Sequence, residues 1–200
     1  MKRVLILFAH PALEKSRVHR VLIQGLQDLE SVTLHDLYEA YPEFEIDVRA
    51  EQELLKTHDI IVFQHPFFWY STPSILKEWQ DLVLEHGWAY GKQGKALRGK
   101  QFLSAVTTGG RETAYRKNGY NRFTMRELLA PIEQTAHLCG MEYLPPFVIH
   151  GTHGMTSETI RSCSSDYREV IQALRDGRIN MEVARESSRL NFDLGRLIRD

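Results

Sequence analysis

The chain has only two cysteines in 200 residues, Cys139 and Cys163, in neither a CxxC nor a zinc-type spacing. That excludes a disulfide-stapled secreted scaffold and a cysteine-ligated zinc module, and points to reduced thiols in a cytoplasmic protein. Long apolar runs are missing too. Val4 to Ala9 falls far short of the roughly 20 residues that cross a bilayer, and it has no secretory cleavage site. Neither charge is in excess: 25 Lys and Arg against 26 Asp and Glu leave −1 with His neutral. Bulk charge therefore gives no support to a nucleic-acid or anionic-membrane partner. There is no GxGxxG and no GxxxxGKS or GxxxxGKT, so neither a dinucleotide fingerprint nor a nucleotide-hydrolysing loop is present. Internal repeats and low-complexity linkers are absent.

What is present is an ordinary globular mix, 42% hydrophobic and 26% charged, with 10% aromatic residues for a core and a lined pocket. The length suits one domain over residues 1–200 that buries a core without staples. Val4-Leu5-Ile6-Leu7-Phe8-Ala9 reads as a strand buried on both faces, because it is continuously apolar rather than alternating. His10-Pro11 ends it. Ser16 then caps a helix running to about Leu29. Val32 to Asp36 is a second strand, Tyr38 to Ile46 a loop, and Ala50 to Lys56 a short helix. Ile60 to Gln64 is a third strand. Ser71 or Thr72 caps the next helix, which carries Ile75, Leu76, Trp79, Leu82 and Val83 on one face and closes at Gly87. Gln101 to Val106 is a fourth strand. A helix spans Phe123 to Leu138 with a bend at Pro131. Tyr143 to Ile149 is a fifth strand interrupted by Pro145-Pro146, and the tail from about Ser157 is helical and charged. This alternation predicts an α/β fold, a doubly wound parallel sheet with helices on both faces. Such sheets bind ligands beyond the carboxyl ends of their strands.

Three strand ends are informative. His10 to His19 is a polar loop opening onto a helix N-terminus. Its free amides, the Ser16 hydroxyl and the charge of Arg17 or His19 suit an anion; Ser16 as a plain helix cap is the competing reading. Pro66-Phe67-Phe68-Trp69-Tyr70-Ser71 puts four adjacent rings at a strand end. They suit a wall against a flat amphipathic ligand better than a core, with a dimer contact as the alternative. Thr107-Thr108-Gly109-Gly110 lets amides approach a ligand edge, with hydroxyls free to donate to ring carbonyls. Anion site, aromatic wall and amide edge together suit a phosphorylated planar ring system such as flavin mononucleotide. The pair His150 and His153 has no third ligand beside it, so no metal site is expected.

These stretches, with Tyr41-Pro42-Glu43-Phe44-Glu45-Ile46-Asp47, Leu76-Lys77-Glu78-Trp79, His86-Gly87-Trp88-Ala89-Tyr90-Gly91, Tyr115 and Leu144-Pro145-Pro146-Phe147, carry a resemblance. The chain resembles the flavodoxin-like NAD(P)H:quinone oxidoreductases over most of residues 3 to 150. Within them it is most similar to the ancillary proteins of bacterial glutathione-gated potassium efflux systems. The resemblance implies a five-stranded flavodoxin-like sheet and a cytoplasmic homodimer binding FMN, or FAD as in some relatives. It places the flavin on His10, Ser16, Arg17, Val18 and His19, on Pro66, Phe67, Phe68, Trp69 and Tyr70, and on Thr107, Thr108, Gly109 and Gly110. Tyr115 faces the substrate side. His19 stands where the family usually has asparagine. Asn118-Gly119-Tyr120-Asn121 stands where some animal relatives carry a histidine, which leaves a proton-donating role to Tyr120 or to water.

The expected chemistry is hydride transfer in two steps, from NAD(P)H to flavin and then to a quinone-like acceptor. The alternative is a regulatory subunit on a potassium efflux transporter, peripheral to the inner membrane, with oxidoreductase activity secondary. The Arg- and Glu-rich tail from Arg178 to Asp200 is the surface such a partner would meet, although by composition it reads as a solvated helix.

Overall fold

The computed structural model describes residues 1–199; Asp200, the last residue of the charged tail, lies outside them. In chain order the strands are β1 (Val4–Phe8), β2 (Val32–Asp36), β3 (Ile60–Pro66), β4 (Gln101–Thr107), β5 (Glu142–Tyr143) and β6 (Phe147–Ile149). The helices are α1 (His19–Leu22), α2 (Leu37–Ala40), α3 (Val48–Lys56), α4 (Ser74–Val83), α5 (Met125–Leu128), α6 (Ala130–Leu138), α7 (Ser157–Asp176), α8 (Met181–Glu186) and α9 (Leu194–Leu197). All strand pairs are parallel, in the order β2-β1-β3-β4, with β5 and β6 both on the outer edge of β4. β5 and β6 are one fifth strand broken at Leu144-Pro145-Pro146, as expected, because proline cannot donate to a ladder. The order 2-1-3-4-5 reverses between β1 and β3, which makes that crevice the switch point.

The continuous apolar strands follow from burial on both faces. Every residue of β1 and β3 is buried. Alternate side chains point to opposite faces, so Val4 and Ile6 join one core with Leu22, Leu26, Ile160, Val170 and Leu174. Leu5 and Leu7 join the other, with Leu37, Leu55, Ile75, Leu76 and Trp79. A buried carboxylate ties the second layer together. Glu51 accepts from Trp79 Nε1 at 2.8 Å and Tyr41 Oη at 2.6 Å, and pairs with His35 Nε2 at 2.7 Å. Three partners compensate its desolvation.

Several local expectations need correction. The first helix does not run to Leu29: α1 is a single turn, followed by turns in which Gly25 takes φ +70. Arg168 of α7 donates to the Gly25 carbonyl at 2.6 Å, so a tertiary contact holds that break. Tyr38 to Ile46 is not all loop, because Asp36 accepts from the Tyr38 amide and caps α2. Neither Ser71 nor Thr72 caps α4, whose N-cap is Pro73 without a side-chain bond. The expected bend at Pro131 is a break at Leu129, because Thr124 and Glu127 form a capping box that starts a separate α5.

The tail is not a solvated helix. Ile179, Ala184, Leu190 and Leu197 are buried in the first core. The tail also covers the sheet edge: Leu190 N donates to Pro146 O, and the Asn191 amide both donates to Val148 O at 2.9 Å and accepts from Val148 N at 3.0 Å. That satisfies the outer hydrogen-bonding row of β6, which would otherwise invite pairing with another chain. Asn191→Ala leaves both Val148 groups unpaired and is expected to destabilise the fold by about 1–3 kcal/mol, read from urea unfolding.

Candidate active site

Parallel pairing sets the height of every strand end. Phe8 aligns with Gln64, and Pro66, Thr107 and Ile149 align across β3, β4 and β6. The loops that begin at His10, Phe67, Thr108 and His150 therefore leave the sheet at one rim. They enclose a cleft of 480 Å³ lined from all four. A larger open groove of 920 Å³ lies beside β2, lined by Leu13, Arg20, Ile23, Asp36 and Glu39 among others. It has no aromatic wall, so the rim cleft is the better binding site.

At one end of the cleft the chain turns through Ala12 to Val18. Ser16 Oγ accepts from His19 N at 3.1 Å, so Ser16 serves the start of α1, yet its hydroxyl proton remains free to donate. The amides of Arg17 and Val18 have no acceptor among the described residues. Arg17 donates to Met155 O at 3.0 Å, which holds its charge at this end. The anion-binding capacity comes from these open amides. A four-residue α1 has little macrodipole, so that part of the expectation is corrected. His19 is buried, with Nε2 2.9 Å from Thr107 Oγ1 and Nδ1 unpartnered. Burial, with His10 and His65 nearby, holds its pKa well below the ordinary value, so it packs as a neutral ring under the cleft.

The aromatic loop folds back on itself. Phe67 N donates to Thr107 O at 2.8 Å and Ser71 N to Phe68 O at 2.9 Å. Between them Trp69 and Tyr70 take φ values of 49 and 61, the left-handed conformation of a type I′ turn. Asn and Gly fill such turns because side chains there cost roughly 1–2 kcal/mol per residue. Two large aromatics tolerated in that conformation point to a use outside packing. Phe67 is buried, whereas Phe68 and Tyr70 are about half exposed and Trp69 is 93% exposed. Tyr70 Oη reaches Asn121 Oδ1 at 3.1 Å, linking this loop to the one after Tyr115.

At the glycine turn the expected hydroxyl donors are already engaged. Thr107 meets His19, and Thr108 donates to Gly110 O at 2.9 Å and meets His150 Nδ1 at 3.1 Å. Thr108 donates within its own turn rather than to a ring carbonyl, while Thr107 keeps its proton for a ligand when His19 Nε2 is the donor between them. The amides of Gly109 and Gly110 have no acceptor among the described residues and remain available. A Cβ on Gly109 would run into the His153 imidazole, and one on Gly110 would stand 3.2 Å from Tyr115 Cε2. Both rings thus pack directly on the turn, and glycine is required there by close approach. Tyr115 also lies 5.2 Å from the His150 ring.

Of the predicted residues, His10, Ser16, Arg17, Val18, His19, Pro66, Phe67, Phe68, Thr107 and Gly109 line the cleft. Tyr70, Thr108, Gly110 and Tyr115 border it through the contacts above, while Trp69 stands at the exposed tip of the aromatic loop. Tyr120 is 91% exposed and does not line the cleft; it is not brought to the site. Thr152 and His153 line the cleft and were missed. The signal was available, because they follow the fifth strand and the rule that flagged the other three ends applies equally to that one.

The rim binding site and the 2-1-3-4-5 sheet define a flavodoxin-like protein. Residues 2–171 match the family described as having a flavodoxin-like fold, and the chain belongs to that family. Among curated proteins it is 47% identical over 171 residues to the glutathione-regulated potassium-efflux system ancillary protein KefG of Yersinia pestis, covering 86% of this chain and 94% of that one. Among solved structures, the general stress protein 14 of Treponema denticola in complex with FMN is 40% identical with a TM-score of 0.82, covering 86% of this chain and 99% of that one. A structure described as a thermophilic tryptophan halogenase from Streptomycin violaceusniger is 44% identical with a TM-score of 0.81, covering 84% and 97%. An NADPH-quinone reductase from P.pentosaceus is 30% identical with a TM-score of 0.76, covering 84% and 96%.

Two outcomes follow from this geometry. Trp69→Gly removes left-handed strain at an exposed position and is expected to raise stability by about 1 kcal/mol in urea unfolding. Burial lowers the pKa of His10, His19, His58, His65 and His150, with His65 and His150 at about 4. Unfolded histidines titrate near 6.5, so below that pH the unfolded chain binds more protons than the folded one. Stability is full above pH 6.5 and falls between there and pH 4. His65 alone removes about 2 kcal/mol by pH 5, and the urea midpoint is expected to drop accordingly.

Proposed function

We propose that this chain is an FMN-dependent NAD(P)H:quinone oxidoreductase that works as a cytoplasmic homodimer. One observation carries the reading: open backbone amides lie at both ends of a single 480 Å³ cleft, with an aromatic wall between them. The Arg17 and Val18 amides with Ser16 suit the flavin phosphate. The Gly109 and Gly110 amides suit the carbonyl edge of its ring, and Phe67 to Tyr70 suit its flat body. The residues present therefore fit the group. The FMN held by the Treponema denticola relative and the NADPH-quinone reductase among the neighbours support the same assignment.

Bound flavin supplies a ring that takes a hydride from NAD(P)H and passes it to an acceptor. The protein supplies orientation and charge. The glycine amides are fixed donors placed to stabilise negative charge on the reduced ring's edge, and they cost no reorganisation. The Tyr115 hydroxyl has no hydrogen-bond partner among the described residues and is free to donate to the acceptor oxygen as it becomes a phenolate. Tyr120 has no such role from within one chain. The exposed rings of Phe68 and Trp69 on the aromatic loop are the surface on which a second copy would close the site.

A second role is supported by the 47% identity to a potassium-efflux ancillary protein. In that role the same fold docks on a transporter's cytoplasmic domain, and the two activities coexist. No helix among the described residues is long and apolar enough to cross a membrane.

The purified protein is expected to be yellow and to oxidise NAD(P)H when a soluble quinone is supplied. Gly109→Val drives a side chain into His153 and is expected to lower FMN affinity by about tenfold or more, a displacement worth at least 1.4 kcal/mol. A colourless protein indifferent to FMN, or a flavin-loaded protein whose NAD(P)H oxidation under anaerobic conditions is not stimulated by quinone, would refute the assignment.

A further inference from the structure

Beyond the family match, which ends at residue 171, the chain continues into a segment that returns to the active site. Leu190 and Asn191 hold this segment to Pro146 and Val148. That anchoring sets Arg189 beside the loop that follows the glycine turn, where its Nη1 pairs with Glu112 Oε1 at 2.9 Å. Together they wall a second, smaller cavity of 180 Å³, lined by Tyr115 and His150 on one side and by Ser188 and Arg189 of the extension on the other.

The chemistry of this cavity is one-sided. Three arginines line it, Arg116, Arg126 and Arg189, against one acidic residue, Glu112. Glu112 answers Arg189, and Glu133 answers Arg126 at 2.9 Å. The Arg116 side chain makes no hydrogen bond or ion pair among the described residues, so one positive charge is left over. A guanidinium has five donors, and each paired arginine spends only part of its fork. The cavity therefore presents surplus cationic donors to whatever enters. Its 180 Å³ is room enough for a phosphate or sulfonate. Its position is equally specific, because Tyr115 packs on Gly110 with one edge and borders this cavity as well.

We propose that the C-terminal extension completes an anion subsite of the active site, in which Arg116 and Arg189 hold a phosphate, sulfonate or carboxylate carried by the compound that reacts beside Tyr115. The subsite rests on the flavoenzyme reading for its purpose but not for its existence. The anion belongs either to the electron acceptor or to the hydride donor, whose 2′-phosphate has the same chemistry.

Calorimetric titration of the FMN-loaded protein separates these sources. One arm compares naphthalene-2-sulfonate with the neutral 2-naphthol, and the other compares 2′,5′-ADP with 5′-AMP. A preference of about tenfold for the more anionic member is expected in one arm, the size of one charge-assisted hydrogen bond. That arm identifies the source. Arg116→Gln and, separately, Arg189→Gln are expected to abolish the preference while the flavin spectrum and the unfolding midpoint show that the fold is intact. Arg116 is exposed and unpaired, so its variant folds even if loss of the Arg189 pair loosens the extension. No preference in either arm, or a preference that survives Arg116→Gln, overturns the proposal. Failure of the flavoenzyme reading would show instead as loss of FMN binding, and repeating the titrations without FMN then decides the subsite on its own.

Discussion

The structure depends on one constraint, the in-register parallel pairing of apolar strands. Once Phe8 lies beside Gln64 and Pro66 beside Thr107, the loops that follow have no choice of height. Each strand is buried on both faces, and slipping one by a residue would exchange the side chains facing the two cores. The large residues on opposite sides of β1, Leu5 and Leu7 against Val4 and Ile6, pack into different layers and resist that exchange. The cleft is thus a consequence of core packing and needs little stabilisation from its own loops. This frees those loops to keep amides unbonded and aromatics in strained turns.

The cost of function is concentrated where the scaffold can bear it. Trp69 and Tyr70 sit in a conformation suited to glycine, and neighbouring hydrogen bonds from Phe67 and Ser71 hold the turn closed around them. Beneath the cleft, His19 and His65 are buried as neutral rings, each with one nitrogen unpartnered. Both raise the free energy of the folded state, and both lie within or directly under the rim. Gln64 Nε2, Thr72 Oγ1 and Trp88 Nε1 are also buried without a partner, whereas Glu51, in the second layer, has all three of its partners in place.

Much of this was legible in the sequence, for identifiable reasons. Continuous apolar runs define β1 and β3, because a strand covered on both faces needs no polar side. The break in the fifth strand is written in Pro145-Pro146. The convergence of three loops followed from applying one topological rule to strand ends. What was not legible depended on tertiary partners. Gly25 is the local sign of the shorter first helix, but the contact that fixes the break comes from Arg168, far along the chain. Nothing in the composition of the tail shows that Leu190 and Asn191 dock on β6. Nothing in the sequence shows that the Thr108 hydroxyl donates to the Gly110 carbonyl of its own turn. By spacing His153 reads as half of a metal pair, whereas its position after a strand is the informative property.

The central claim is that one cleft grips a ligand by a phosphate at one end and a planar ring at the other. Comparing the affinities of FMN and riboflavin, by fluorescence quenching during titration into flavin-free protein, tests both halves at once. The account predicts that FMN binds at least about tenfold more tightly, the phosphate being worth one or more charge-assisted hydrogen bonds from the Ser16 to Val18 turn, while riboflavin still binds measurably through its ring. Equal affinity for the two, or no binding of either, would contradict it.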